Sequence, residues 1–286
     1  MYAARQFFYP DRANSLDLCC KFVRGRQGIE IGGPSGVFSS RGVLPLYEEV
    51  DSLDNCNFSS QTTWEGSIRE GGTFIFSTNR PPGMQYVAET TNLKCIADEN
   101  YNFLLSSHVL EHSANALKVL YEWIRIIKPG GMLVLLLPHK DGTFDHHRPV
   151  TSLEHLIEDY EVDTKEDDLT HLPEILSLHD LYRDPAAGTK EEFERRSRAN
   201  FENRCLHHHV FDTTLVARLI DYVGLELLAV ETMRPNHVIT IARKPCGNER
   251  PDNRTVLAAV ATQLRRSPFP SDRQAMNGIP VLGTDA

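Results

Sequence analysis

No run of apolar residues in this 286-residue chain exceeds six, as in Met132–Leu137. A membrane-spanning helix needs about 20, so no membrane partner is expected. Paired cysteines are missing too: Cys19, Cys20, Cys56, Cys95, Cys205 and Cys246 form no C-x-x-C motif. Positive charge is in deficit, with 30 Lys and Arg against 39 Asp and Glu for a net −9. That balance argues against a general nucleic-acid binder. The opening residues, MYAARQFFYPDR, lack the apolar core of a signal peptide. Scattered thiols without such a signal fit a reducing compartment, and a cytoplasmic protein is the expectation. What the chain does have is ordinary globular composition, 41% hydrophobic and 24% charged, too apolar for a disordered chain.

Residues 28–33 (GIEIGG) read as a buried strand breaking into a glycine-rich turn. A second strand ending in acid is expected within 43–51 (VLPLYEEVD), whereas 52–85 is polar and punctuated by Gly and Pro, and carries no assignment. Tyr101–Ser106 is strand-like. Ser113 then stands as the cap of a helix whose Leu117, Leu120, Tyr121, Ile124 and Ile127 share one face. Pro129-Gly130-Gly131 stops that helix, and MLVLLL follows as a strand buried on both faces. Strand, helix and strand at this spacing make a βαβ unit of an open α/β sheet. Further on, Asp212 or Thr213 caps a helix that ends at Gly224. Two β-rich runs, Leu225–Glu231 and His237–Arg243, follow; their short connection demands an antiparallel hairpin.

The segment 139–204 is far longer than a connection in such a sheet needs, and its place beside the strand ends suits a helical lid over a site. Nine of the 12 histidines fall within 139–209. The expected organisation is one domain over 1–244 with this lid inserted, and a loosely ordered tail over 245–286.

Four stretches in order resemble the class I S-adenosylmethionine-dependent methyltransferases of the small-molecule type 11 group: GIEIGGPSG, VDSLDN, SSHVLEHSANALKVLYEWIRIIKPGGMLVLLLPH and the terminal hairpin. The resemblance covers about 25–140 and 205–244, and its most specific part is H-V-L-E-H followed at helical length by I-K-P-G-G. It implies an α/β fold with a doubly wound, mostly parallel seven-stranded sheet ending in an antiparallel hairpin. Its cofactor would be S-adenosyl-L-methionine. Gly32, Gly33 and Gly36 let the backbone approach a nucleoside. Asp51 would hold the ribose diol, Glu30 the loop or the methionine amine, and Glu89 the adenine; Ser106 and Ser107 end the fourth strand beside the methyl. Pro34 stands where the family has its middle glycine, and the same residue breaks a nicotinamide-dinucleotide fingerprint.

A histidine at the mouth of such a site is the natural general base for a hydroxyl acceptor, which singles out His139 and His147 as catalytic. His108, Lys140, Arg148 and His208 are candidates for binding the acceptor. The run His207-His208-His209 invites a metal, but consecutive residues rarely aim three imidazoles at one ion, so no metal is expected. Arg195, Arg196, Arg198 and Arg204 read as a solvated helix face, with an anionic substrate group as the other use. The resulting expectation is O-methylation of a small polar acceptor such as a sugar or secondary-metabolite intermediate. N-methylation, a non-catalytic cofactor-binding partner protein and a nicotinamide-dependent oxidoreductase stay open, as does a homodimer.

Overall fold

The computed structural model describes residues 12–247 and 249–277. Eight strands share one sheet in the order β5-β6-β2-β1-β7-β8-β10-β9. They span Gln27–Ile31 (β1), Ser52–Asn57 (β2), Gly71–Phe74 (β5), Gly83–Val87 (β6), Tyr101–Ser107 (β7), Ile127–Pro138 (β8), Glu226–Met233 (β9) and His237–Arg243 (β10). A two-residue pair, Gln61–Thr62 (β3) and Gly66–Ser67 (β4), forms a small separate hairpin. From β6 to β8 every neighbour is parallel, whereas β10 runs against β8 and β9 against β10. The doubly wound sheet and its antiparallel end agree with the sequence. An eighth strand, β5, joins the far edge antiparallel to β6, where seven strands were expected.

The second strand lies after 43–51, not within it. Leu44, Leu46, Tyr47 and Val50 are buried, but they belong to a loop. The Leu44 and Leu46 amides donate to Val37 and Phe38 carbonyls, not to a strand. The strand is the polar run SLDNCN, whose buried Asp54, Asn55 and Asn57 all have hydrogen-bond partners. The hydroxyl of Tyr101 donates to Asp54 at 2.7 Å, and Asp54 accepts the Met84 amide at 2.8 Å.

On one face of the sheet, α2 (Ala116–Ile126), α7 (Thr213–Tyr222) and α8 (Arg254–Gln263) bury Leu120, Trp123, Val216, Leu219 and Val260. Asn115 caps α2 through the Lys118 amide at 3.0 Å, in place of the expected Ser113. Asp212 caps α7 through the Leu215 amide, and Gly224 follows at φ +79°. The opposite face is covered by α1 (Leu16–Val23) and the 37–50 loop, which pack Val23, Phe38 and Leu44 against Phe103 and Leu136.

Beyond Lys244 the chain is built in, contrary to the loose tail expected. Asn253 is buried, its Oδ1 accepting the Leu227 amide and its Nδ2 donating to the Leu225 carbonyl. Farther on, Asp272 of α9 (Pro270–Asn277) accepts from Thr213 and Ser267. Residues 278–286 of that expected tail lie outside the described residues. The 139–204 insertion folds as α3 (Leu153–Glu161), α4 (Leu172–Leu178), α5 (Lys190–Arg198) and α6 (Asn200–Asn203), with a small core of Leu172, Ile175, Phe193 and Leu206. No helix among the described residues is long and apolar enough to cross a membrane.

Candidate active site

All five parallel strands end at one edge of the sheet, where a cavity of about 840 Å³ opens. Ligands of open α/β sheets bind in this crevice because loops there can be shaped while the strands stay fixed. Gly32 and Pro34 line it after β1, Asn57 at the end of β2, Glu89 after β6, Ser107 and His108 at the end of β7, and Pro138 at the end of β8.

Gly32 adopts φ +81°, and a Cβ there would lie 2.5 Å from Val109, so glycine is required on both counts. Asn55 grips the next residue at two points: its Oδ1 accepts the Gly33 amide and its Nδ2 donates to the Gly33 carbonyl, each at 3.0 Å. Glu30 does not line the cavity. Its carboxylate accepts the Ser35 amide at 2.9 Å and the Tyr47 hydroxyl at 2.7 Å, so it orients the loop rather than a ligand. Burial pushes its pKa up to about 7, with the Ser35 and Tyr47 hydrogen bonds working the other way. Gly33 and Gly36 also stand behind the lining, and the Ser106 hydroxyl is buried without a partner.

Asp51 is misplaced by the sequence reading. It is exposed and precedes β2, at the end of the strand away from the cavity. The residue at the correct end is Asn57, whose Oδ1 already accepts from Asn55 at 2.5 Å and Gln85 at 3.0 Å. That leaves its NH₂ as the group able to meet a ligand. Glu89 does line the cavity, in an ion pair of 2.5 Å with Arg204.

Of the two expected bases, neither lines the cavity. His139 is fully buried under the C-terminal segment, stacked on Phe269 at 4.0 Å. Its Nδ1 accepts the Asp141 amide and its Nε2 faces Asp272 at 3.1 Å, so no lone pair is free to take a proton. His147 is exposed on the surface against His146. Lys140 is spent on the Arg148 carbonyl. Arg148 is buried between Asp145 and Glu174, and His208 is buried against Asn200 at 3.0 Å; both hold the insertion rather than face the cavity. Only His108 of the four acceptor candidates lines it; burial, then His237, lowers its pKa to about 3.

The insertion supplies the other wall with Phe144, Glu166, Arg196 and Arg204, the segment after it adds His207, and the β3–β4 hairpin adds Trp64, which packs on His112 at 5.1 Å. Arg196 is paired with Asp184, and Arg204 with Glu89 and Glu166, so neither offers a free charge to an anion. His207 is the notable residue. Its Nδ1 donates to Asp145 at 2.5 Å, which leaves Nε2 as the acceptor. Burial alone would lower the pKa of His207, but Asp145 and then Glu111 outweigh it and raise it. Burial opposes the charge on Asp145 as well; His207 and Arg148 nevertheless hold that carboxyl down to about 2. Glu111 projects beside this pair with both carboxylate oxygens buried and unpartnered, and burial pushes it up to about 7. Glu111, His112 and His207 each offer one ligand atom within 4.8 Å of the others. Asn57 and Trp64 carry no motif of their own, and a correctly placed β2 is the one signal that points to Asn57; Glu111 stands within H-V-L-E-H, where the sequence reading gives it no role.

Residues 73–135, from the end of β5 through β6, β7 and α2 into β8, match a family described as a methyltransferase domain, of type 11. That match is to a methyltransferase domain and covers the central part of the sheet. S-adenosylmethionine is the cofactor that goes with it, and the Gly32 turn, where any Cβ would intrude, fits a close approach of that molecule to the backbone. No curated protein matches the chain. Among solved structures, a methyltransferase of Methanosarcina mazei is 15% identical with a TM-score of 0.46, over 83% of this chain and 100% of that one. The 1,6-didemethyltoxoflavin-N1-methyltransferase of Burkholderia thailandensis, solved with 1,6-didemethyltoxoflavin and S-adenosylhomocysteine, is 9% identical with a TM-score of 0.44, over 85% and 83%. The CurJ carbon methyltransferase is 10% identical with a TM-score of 0.41, over 78% of this chain and 49% of its own, so the methyltransferase domain here spans about half of that protein.

Proposed function

We propose that the domain transfers the methyl group of S-adenosylmethionine to a hydroxyl of a small polar acceptor, with His207 as the general base. In this reading the Gly32–Ser35 turn takes the methionine end of the cofactor, Asn57 the ribose and Glu89 the adenine side. The acceptor lies between Ser107, Trp64 and His207. Its oxygen attacks the methyl carbon, the carbon–sulfur bond breaks, S-adenosylhomocysteine leaves, and the hydroxyl proton passes to Nε2 of His207. The sulfonium is already a strong electrophile, so alignment supplies most of the acceleration and the base a further factor of about 10²–10⁴.

The observation that carries this reading is the Asp145–His207 pair on the cavity wall: a carboxylate fixes Nδ1–H and turns the basic nitrogen free, the arrangement that activates a hydroxyl nucleophile. The polar side chains on the wall, among them Asn57, Ser107 and His207, suit a sugar or secondary-metabolite intermediate. The test is methyl transfer from labelled S-adenosylmethionine across a panel of hydroxylated and amine acceptors. His207→Ala should lower turnover by two orders of magnitude or more while leaving S-adenosylhomocysteine binding intact. Full turnover by that variant, or labelling of amines alone, would replace O-methylation by transfer to a neutral nitrogen, which needs no base.

A further inference from the structure

We propose that His155, His171, His209 and Asp159 form a site for a divalent transition metal of the zinc type that ties the inserted segment to the rest of the domain. His155 and Asp159 stand one turn apart on α3 and therefore on one face. His171 lies immediately before α4, and His209 lies on the segment that returns to the sheet. The three imidazoles and the carboxylate converge. His155 Nε2 is 3.0 Å from His171 Nε2 and 3.4 Å from Asp159 Oδ2, and His209 Nε2 is 3.0 Å from the same oxygen. Tetrahedral zinc with bonds of about 2.0–2.1 Å separates neighbouring ligand atoms by roughly 3.3 Å. The three imidazoles each offer a nitrogen within 4.8 Å of the others, and Asp159 Oδ2 stands beside two of them.

Ligand chemistry selects the ion. Imidazole nitrogen suits zinc and its neighbours, while magnesium and calcium prefer all-oxygen cages. None of the four residues lines the cavity, and four protein ligands close a tetrahedral site, so its role is structural. Glu166 lies between α3 and α4, and His207 lies two residues before His209; both line the cavity, so an ion here would brace its outer wall. The consecutive histidines do point to different places, as neighbours should. His207 meets Asp145 and His209 meets Asp159, and the partners that complete the metal set come from far along the chain.

The full-length protein, stripped of metal by chelation, should bind one equivalent of Zn²⁺ by calorimetry, and Co²⁺ should give the intense visible bands of a tetrahedral complex. The His155→Ala/His171→Ala double variant should lose that equivalent, while His112→Gln and His147→Gln, from the two other histidine clusters, should keep it. Folding of each variant is checked by circular dichroism. A spectrum of six-coordinate cobalt, no binding to the folded full chain, or an equivalent retained by the double variant would overturn the proposal. The wild-type cobalt spectrum decides the matter even if the double variant does not fold. Because metal binding is read without cofactor or acceptor, its failure is separate from any failure of the methyl-transfer reading.

Discussion

Asn57 holds the position at the end of β2 where the sequence had suggested an acid, and the exchange has a measurable consequence. Removing its amide should weaken S-adenosylhomocysteine binding by about 1–3 kcal/mol, the cost of stranding the groups that meet it. Asp51→Ala should leave that affinity unchanged, since the side chain is exposed at the opposite end of the strand. Calorimetry on both variants checks the pair, and a loss confined to Asp51→Ala would reverse the assignment. His207 makes a second prediction at this scale. The base works only when neutral, and its pKa is raised by Asp145 and Glu111 against the effect of burial. Consequently kcat/KM should fall as pH drops through a value above the usual histidine range of about 6.5. An acid limb below that value would detach His207 from proton transfer.

At the scale of elements, what was legible depended on whether burial left a periodic trace. The α7 stripe, the MLVLLL strand and the terminal hairpin all bury apolar side chains and stand where expected, whereas in α2 only Leu117 and Leu120 of the expected stripe are buried: Trp123 and Ile126 join them, Tyr121 is exposed and Ile127 opens β8. β2 escaped because three of its five buried residues are Asp54, Asn55 and Asn57, which a pattern of apolar residues cannot reveal. A misplaced β2 then put forward Asp51, although Asn57 is the residue that lines the cavity. His139 was misread for a related reason: it follows β8 directly, but Phe269 and Asp272 cover it from 130 positions or more along the chain, beyond any local pattern. Asp272 gathers His139, Thr213 and Ser267 about one buried carboxylate, so α9 acts as a clamp on the sheet edge. Asp272→Ala should therefore cost about 1–3 kcal/mol of stability, read as a lowered urea midpoint with turnover per folded molecule preserved. Wild-type stability in that variant would mean α9 packs without the clamp.

Across the whole molecule, the parallel strands aim their ends at one cavity, the insertion walls it, and of the C-terminal helices α8 holds the β9 edge while α9 holds the residue that follows β8. The parallel run of the sheet, its antiparallel end and the Gly32 turn are the parts the sequence led one to expect. The wall built by Arg204, His207 and Trp64 is the part that sequence motifs leave blank, because each reaches the cavity only through long-range packing. The most direct test of the account is calorimetric titration of the purified chain with S-adenosylmethionine and S-adenosylhomocysteine, against NADH, in the wild type and in Gly32→Ala. Micromolar binding of the first two, none of NADH, and a clear loss in a folded Gly32→Ala protein are the predicted results. A folded wild type that binds neither, or a Gly32→Ala variant that binds as well as the wild type, would contradict the placement of the cofactor at this turn.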